Sequence, residues 1–190
     1  MPVVWEWDVG ENFCVLDGIQ NVEDEYQLSK GISRANGFPT DASFTMSAMH
    51  RKYVALADNI SNLNRALVVS RKLKEAIEAR SPQDVEFLSV SIFNHKQKLA
   101  SKDYFIINPL NVVDCIDKEK SKYRWNHIAP DKMSSCTKLV LKPEVIHPEL
   151  LLFRPRHLEY YVLVDPALAV VLEAEGFTGL CFTPIDEFES

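Results

Sequence analysis

The stretch of the chain best equipped for chemistry is Asp114-Cys115-Ile116-Asp117. Two carboxylates three positions apart are able to share a metal ion or to work as an acid/base pair. The competing reading is turn chemistry, with Asp117 accepting backbone hydrogen bonds where a strand ends. Lys118, Lys120, Lys122 and Arg124 follow and neutralise the acids. Two carboxylates alone make a poor metal site, so the turn reading is favoured. Cys115 with His127 offers, in principle, a nucleophile and its base, but nothing in the sequence sets their geometry. Trp125, within Ser121-Lys122-Tyr123-Arg124-Trp125-Asn126, reads either as a core plug with its indole N–H satisfied or as an interface anchor, since Trp, Tyr and Arg are enriched in binding hot spots. The core reading is favoured.

No phosphate-cradling glycine loop, nucleophile elbow, His-Glu-x-x-His helix or Cys-x-x-Cys pair occurs. The five histidines, His50, His95, His127, His147 and His157, include no pair at helical ligand spacing. Cys14, Cys115, Cys136 and Cys181 are scattered, mostly beside apolar neighbours, as in Phe13-Cys14-Val15 and Leu180-Cys181-Phe182. They read as buried, reduced thiols acting as small hydrophobes rather than as zinc ligands or disulfides. The expectation is a binding protein with no metal, no cofactor and no covalent catalysis. The alternative is a small enzyme using Asp114 and Asp117 with Cys115 or His127.

The elements that must position these residues mix strands and helices. Val3, Trp5 and Trp7 alternate with Val4, Glu6 and Asp8, a period-two strand signal. A turn at Val9-Gly10-Glu11 leads to a possible second strand over residues 12–16, and residues 17–39, polar and dotted with glycine, read as a long loop. Met49, Tyr53, Leu56, Ile60, Leu63 and Leu67 recur at steps of four and three and predict a helix. It stops between residues 57 and 60, because Asn59-Ile60-Ser61-Asn62-Leu63-Asn64 is poor helix material. Tyr104-Phe105-Ile106-Ile107 is strongly β-prone, Pro109 interrupts it, and residues 111–117 resume. Residues 138–141 and 150–153 are two further short strand candidates.

Two segments share one pattern. Residues 66–69 read as a strand, Ser70 as the N-cap of a helix over 71–79, and residues 85–93 as a strand. Residues 160–164 read as a strand, Asp165 as an N-cap with Pro166 at the first helical position, residues 167–175 as a helix stopped by Gly176, and residues 180–185 as a strand. Aligned without a gap, Val69 meets Val164, Leu73 meets Leu168, Ile77 meets Leu172 and Phe87 meets Phe182. Convergence explains such a likeness more readily than an internal repeat does, since repeat architectures normally need at least three copies. The elements show no regular βαβ rhythm, so the fold class is α+β: mixed strands with a few helices and two similar strand–helix–strand units.

At 190 residues, with 46% apolar and 25% charged side chains, the chain suits a single domain that buries roughly 70% of its unfolded surface. The net charge of -6 argues against nucleic acid as a direct partner. No run approaches the roughly 20 apolar residues of a membrane helix, and the N-terminus has no basic n-region, so the expected location is the cytoplasm, with no membrane partner.

Three segments carry a resemblance. They are Asn108-Pro109-Leu110-Asn111-Val112-Val113-Asp114-Cys115-Ile116-Asp117 with Glu119-Lys120-Ser121 and Tyr123, Val68-Val69-Ser70-Arg71-Lys72-Leu73-Lys74-Glu75-Ala76-Ile77 leading into Val85-Glu86-Phe87, and Gly176-Phe177-Thr178-Gly179-Leu180-Cys181-Phe182-Thr183-Pro184-Ile185. Over residues 65–186 the chain resembles the immunity-eleven family of bacterial polymorphic toxin systems, whereas residues 1–40 carry no such motif. The resemblance implies an α+β protein, encoded beside a toxin gene, that binds its cognate toxin domain without catalysis. Before Lys30 the chain has no basic side chain but carries Glu6, Asp8, Glu11, Asp17, Glu23, Asp24 and Glu25, and Asp186, Glu187 and Glu189 lie near the C-terminus. A toxin that attacks nucleic acid needs a basic surface, which such acids would attract. The candidate partner-binding residues are therefore Glu23, Asp24, Glu25, Asp114, Asp117 and Trp125. The plainer reading of the acids is a solvated, solubilising face.

Overall fold

The computed structural model describes residues 1–8, 10 and 12–189. Of the expected turn at Val9-Gly10-Glu11, the residues Val9 and Glu11 lie outside the described residues, as Glu11 does among the acids. The described residues form twelve strands and two α-helices, a mixed α+β fold that is mostly β. The strands of the first half are β1 (Val3–Trp7), β2 (Ser43–Thr45), β3 (Asn59–Ile60), β4 (Leu67–Ser70), β5 (Val85–Phe93) and β6 (Leu99–Pro109). Those of the second half are β7 (Val112–Val113), β8 (Lys122–Trp125), β9 (Met133–Lys138), β10 (Leu152–Pro155), β11 (Leu163–Val164) and β12 (Leu180–Pro184). The helices are α1 (Arg71–Glu78) and α2 (Pro166–Ala174).

Both helices begin where local chemistry places them. The Ser70 hydroxyl accepts the Leu73 N–H at 3.3 Å and donates to Asp58 Oδ1 at 2.7 Å. Asp165 Oδ1 accepts the N–H groups of Ala167 (2.9 Å) and Leu168 (3.2 Å), and Pro166 holds the first helical position. α1 buries Leu73 and Ile77, one turn apart, and α2 buries Leu168, Ala169 and Leu172. Gly176, at φ +69°, takes the left-handed conformation that ends α2.

The strand–helix–strand units are alike in three dimensions. One sheet has the order β2-β5-β6-β4-β3 and the other β12-β1-β11-β10-β7. In each, the strands before and after the helix flank a middle strand antiparallel to both: β6 between β4 and β5, and β1 between β11 and β12. The register is the same. Ile106 lies opposite Val68 and Leu88, and Val4 lies opposite Leu163 and Thr183, the residues 95 positions further along. β3 and β10 cover the free edges of β4 and β11 in matching positions. The Ser70 N–H donates to Asp58 O at 2.8 Å, as the Asp165 N–H donates to Leu151 O at 2.9 Å. The middle strand of the first unit follows its helix in sequence, whereas that of the second comes from the opposite end of the chain.

Strand alternation sorts the side chains into three cores. The inner one joins both units: Leu67 and Val162, Val69 and Val164, Leu73 and Leu168, Ile77 and Leu172, Ile107 and Trp5 are matched pairs within a single cluster. The outer faces are matched as well. Ile60, Val68, Val90 and Ile106 are covered by residues 14–46, with Cys14, Leu16, Leu28, Phe44 and Met46 packed inward. Phe153, Leu163, Ile185 and Val4 are covered by residues 115–141, with Cys115, Ile116, Met133, Cys136, Leu139 and Leu141 packed inward. At the seam Asn59 donates from its backbone to Thr178 O (3.0 Å) and from Nδ2 to Gly179 O (2.9 Å). Gly179, at φ +73°, brings its backbone so close that a Cβ would meet Asn59 O at 2.2 Å.

Several local expectations give way to tertiary pairing. The helix expected from residue 49 is a short 3-10 turn, Ala48–His50, followed by extended chain. Ala55 bridges to Phe13, Ile60 pairs with Val68, and the Asn62 amide holds the loop by bonding to Ile60 O and to both backbone groups of Ala66. Met49 is left 89% exposed. Residues 12–16 make isolated bridges at Phe13 and Leu16 rather than a strand. The loop over 17–39 contains a 3-10 turn, Glu25–Ser29. In place of a strand at 138–141 stands β9, and at 160–164 only Leu163–Val164 pair, because residues 159–161 turn.

Candidate functional site

Asp117 does what turn chemistry asks. Its Oδ1 accepts the N–H groups of Glu119 (3.1 Å) and Lys120 (3.2 Å), and Oδ2 pairs with Lys120 Nζ at 3.0 Å. The Lys120 hydrogen bond, with those turn amides, holds the carboxyl below the usual carboxylate range. Asp114 is exposed and faces Lys118 at 3.8 Å. Each acid therefore has its own lysine. Cys115, between them, is fully buried, and desolvation pushes its thiol up to about 12, the reverse of what a nucleophile needs. His127 is exposed. Among the described residues no group of three or more His, Cys, Asp or Glu side chains gathers as metal ligands do. Cys14 and Cys136 are buried like Cys115, and Cys181 is half-buried.

The turn set by Asp117 launches a two-stranded ribbon, β8 paired with β9. Its alternation is visible in sequence as Lys122-Tyr123-Arg124-Trp125, basic and aromatic by turns, although the serine-rich partner strand gives no such signal. Tyr123 packs against the core beside Cys136 and borders an open groove of about 740 Å³, which the exposed Lys122 and Arg124 line with Lys118, Ser121, Ser135 and Thr137. Trp125 departs from the core expectation: it is 38% exposed. It sits edge-on between Tyr123 and His157, with ring centroids 5.2 Å from each. This residue ends β8, beyond the reach of the outer core. At the tip of the hairpin Ile128 is 95% exposed.

Glu23, Asp24 and Glu25 are exposed at the start of the 3-10 turn in the other cover. That cover is fastened by two polar anchors. The Glu86 carboxylate, on β5, accepts from the Ser33 hydroxyl, from the backbone N–H groups of Arg34 (2.9 Å) and Ala35 (3.1 Å), and from Asn108 Nδ2 (3.0 Å). Partial burial pushes this carboxyl up, but the four donors outweigh it and hold it below its usual range. The second anchor is Arg154, buried on β10. It donates to Pro109 O (3.1 Å), Glu159 O (2.6 Å), Leu28 O (3.0 Å) and Asn108 Oδ1 (3.4 Å). Burial pulls its guanidinium down to about 10. One side chain thereby ties the acidic cover, the end of β6 and the second sheet together. Neither anchor stood out in the sequence, since a lone Glu or Arg in a strand has no local mark.

The acidic triplet and the ribbon belong to different covers, so the candidate residues do not form one constellation. No helix among the described residues is long and apolar enough to cross a membrane. Comparison with curated proteins returns no match. A family model described as an immunity protein family, Imm11, matches residues 17–187, a wider span than the three motif segments and one that takes in the acidic cover. With nearly its whole length matched, the chain belongs to the Imm11 immunity protein family.

Proposed function

We propose that this chain is a non-catalytic immunity protein that binds and neutralises a cognate toxin domain in the bacterial cytoplasm. Family membership is the observation that carries the reading. The local chemistry agrees with it: the groups an enzyme would recruit are spent on structure, with Asp117 closing a turn and the Cys115 thiol pushed up by burial. A stoichiometric inhibitor needs contact surface and no turnover. Of the residues proposed to meet the partner, Glu23, Asp24, Glu25, Asp114 and Trp125 are exposed, and Asp117 would act indirectly, by setting the ribbon. Co-expression of this chain with the toxin domain encoded beside its gene tests the reading. The expected result is rescued growth and a complex that co-purifies. Continued killing in cells that hold abundant folded protein would sink it.

A further inference from the structure

The two covers over the matched outer faces are opposite in charge. Residues 14–46 carry five acidic and two basic side chains, and residues 115–141 carry three acidic and six basic ones, in a chain whose net charge is -6. Part of the basic excess is used internally: Lys118 faces Asp114, Lys120 faces Asp117, and Lys132 pairs with Asp131 (3.2 Å) and Glu159 (2.7 Å). Lys122, Arg124 and Lys138 have no ion pair among the described residues, and all three are exposed. Lys122 and Lys138 lie opposite each other across the ribbon, with Arg124 opposite Ser135. Like charges in register cost stability unless something offsets them.

Strand alternation puts Trp125 on the Tyr123 side of β8, at the end of the strand where the hairpin tip begins, fixed by Tyr123 and His157 yet open to solvent. A ring already held in place loses little conformational freedom on docking, and aromatic–arginine clusters are the usual composition of binding hot spots. Among the described residues no third strand pairs with the ribbon, and Lys122, Arg124 and Lys138 on its outer face are exposed.

We propose that the β8–β9 ribbon docks an acidic patch on a protein partner, whose carboxylates meet Lys122, Arg124 and Lys138 on one face while an apolar side chain of the partner reaches Trp125 and Ile128 at the tip end of the hairpin. A protein is preferred to nucleic acid because a patch of a few carboxylates matches three local cations and a protein has an apolar side chain to set on Ile128, whereas a continuous phosphate backbone would extend past the ribbon over a chain whose net charge is -6. Naming the cognate toxin domain as that partner rests on the immunity reading.

The test uses the full chain and the toxin domain encoded beside its gene. Binding is measured at two salt concentrations for the wild type, for the double change Lys122→Glu with Arg124→Glu, and for Trp125→Ala. Both variants should weaken binding at least tenfold, and the double reversal should also flatten or invert the salt dependence, with circular dichroism unchanged. If the reversal unfolds the ribbon, Lys122→Gln with Arg124→Gln is read in its place, and its expected loss is about threefold or more. Wild-type affinity in the variants overturns the docking face and leaves the immunity reading standing. A wild type that binds no toxin domain overturns both. Two further measurements use the chain alone. Tight binding of a short DNA duplex or RNA oligomer that the reversal abolishes assigns the face to nucleic acid and overturns the proposal. So does self-association in sedimentation that the reversal abolishes, which makes a second copy the occupant.

Discussion

Val4 stands in the second sheet where Ile106 stands in the first. Each is the fully buried middle-strand residue paired on both sides, Ile106 with Val68 and Leu88, Val4 with Leu163 and Thr183. Their neighbours Trp5 and Ile107 share the inner core that both helices cover. With the two units interlocked this way, the chain should unfold in one cooperative step. Ile106→Ala is expected to cost about 2–5 kcal/mol and Val4→Ala about 1–3 kcal/mol. Urea titration followed by tryptophan fluorescence and by circular dichroism checks this. Non-coincident transitions would mean that the units unfold separately.

Glu86 ties the loop at residues 33–35 to β5 through a carboxylate held below its usual range. In the unfolded chain this group titrates near about 4.3. The folded chain keeps the charged form to lower pH, so the stabilisation is complete above about pH 4.3 and disappears as pH falls through the folded value. Glu86→Gln should cost roughly 1–3 kcal/mol at pH 7. The gap between wild type and variant should close on acidification below about pH 4. A gap that stays constant down to pH 3 would show that the charge contributes nothing.

Removal of the Arg154 fork leaves Pro109 O, Glu159 O, Leu28 O and Asn108 Oδ1 short of a donor in the interior. Arg154→Met fills much of the volume but supplies no hydrogen bond. The expected loss is about 3 kcal/mol or more, with faster hydrogen exchange in residues 25–30 than elsewhere. Arg154→Lys should rescue only part of it, because an ammonium cannot copy a planar fork. Wild-type melting in the methionine variant would refute the anchor.

Glu23, Asp24 and Glu25 bear on the speed of encounter. If they steer a basic partner, reversing all three to lysine should lower the association rate for the toxin domain about tenfold at low salt and weaken its salt dependence. Dissociation and melting temperature should change little. Stopped-flow measurement at two ionic strengths decides, and an unchanged on-rate leaves the triplet as a solubilising face.

The features legible in the sequence were those with a local cause. Ser70 and Asp165-Pro166 announce their helices because a cap is written within three residues, and the likeness of residues 66–90 and 161–185 is a matter of side-chain type alone. Local spacing misled at Met49 and Tyr53, where steps of three and four coincide with an exposed loop, and the pairings of Ala55 and Ile60 with distant residues decide the backbone. The pairing of β1 with β11 and β12 spans most of the chain and leaves no local trace. Around the candidate site, Asp117 was readable as a turn residue. Trp125 was not readable as exposed, since its environment is set by His157 from another part of the chain.

The placement of β1 between β11 and β12 has a consequence for synthesis on the ribosome. The first unit has all its strands, β3 to β6, once residue 109 has emerged, but Val3–Trp7 finds its sheet partners only after Val164 and then Leu180 have been made. Until then the nascent chain exposes a tryptophan-bearing strand without its sheet partners. That interval makes it a natural client for a holding chaperone, and slow elongation through the second half would prolong its exposure to aggregation.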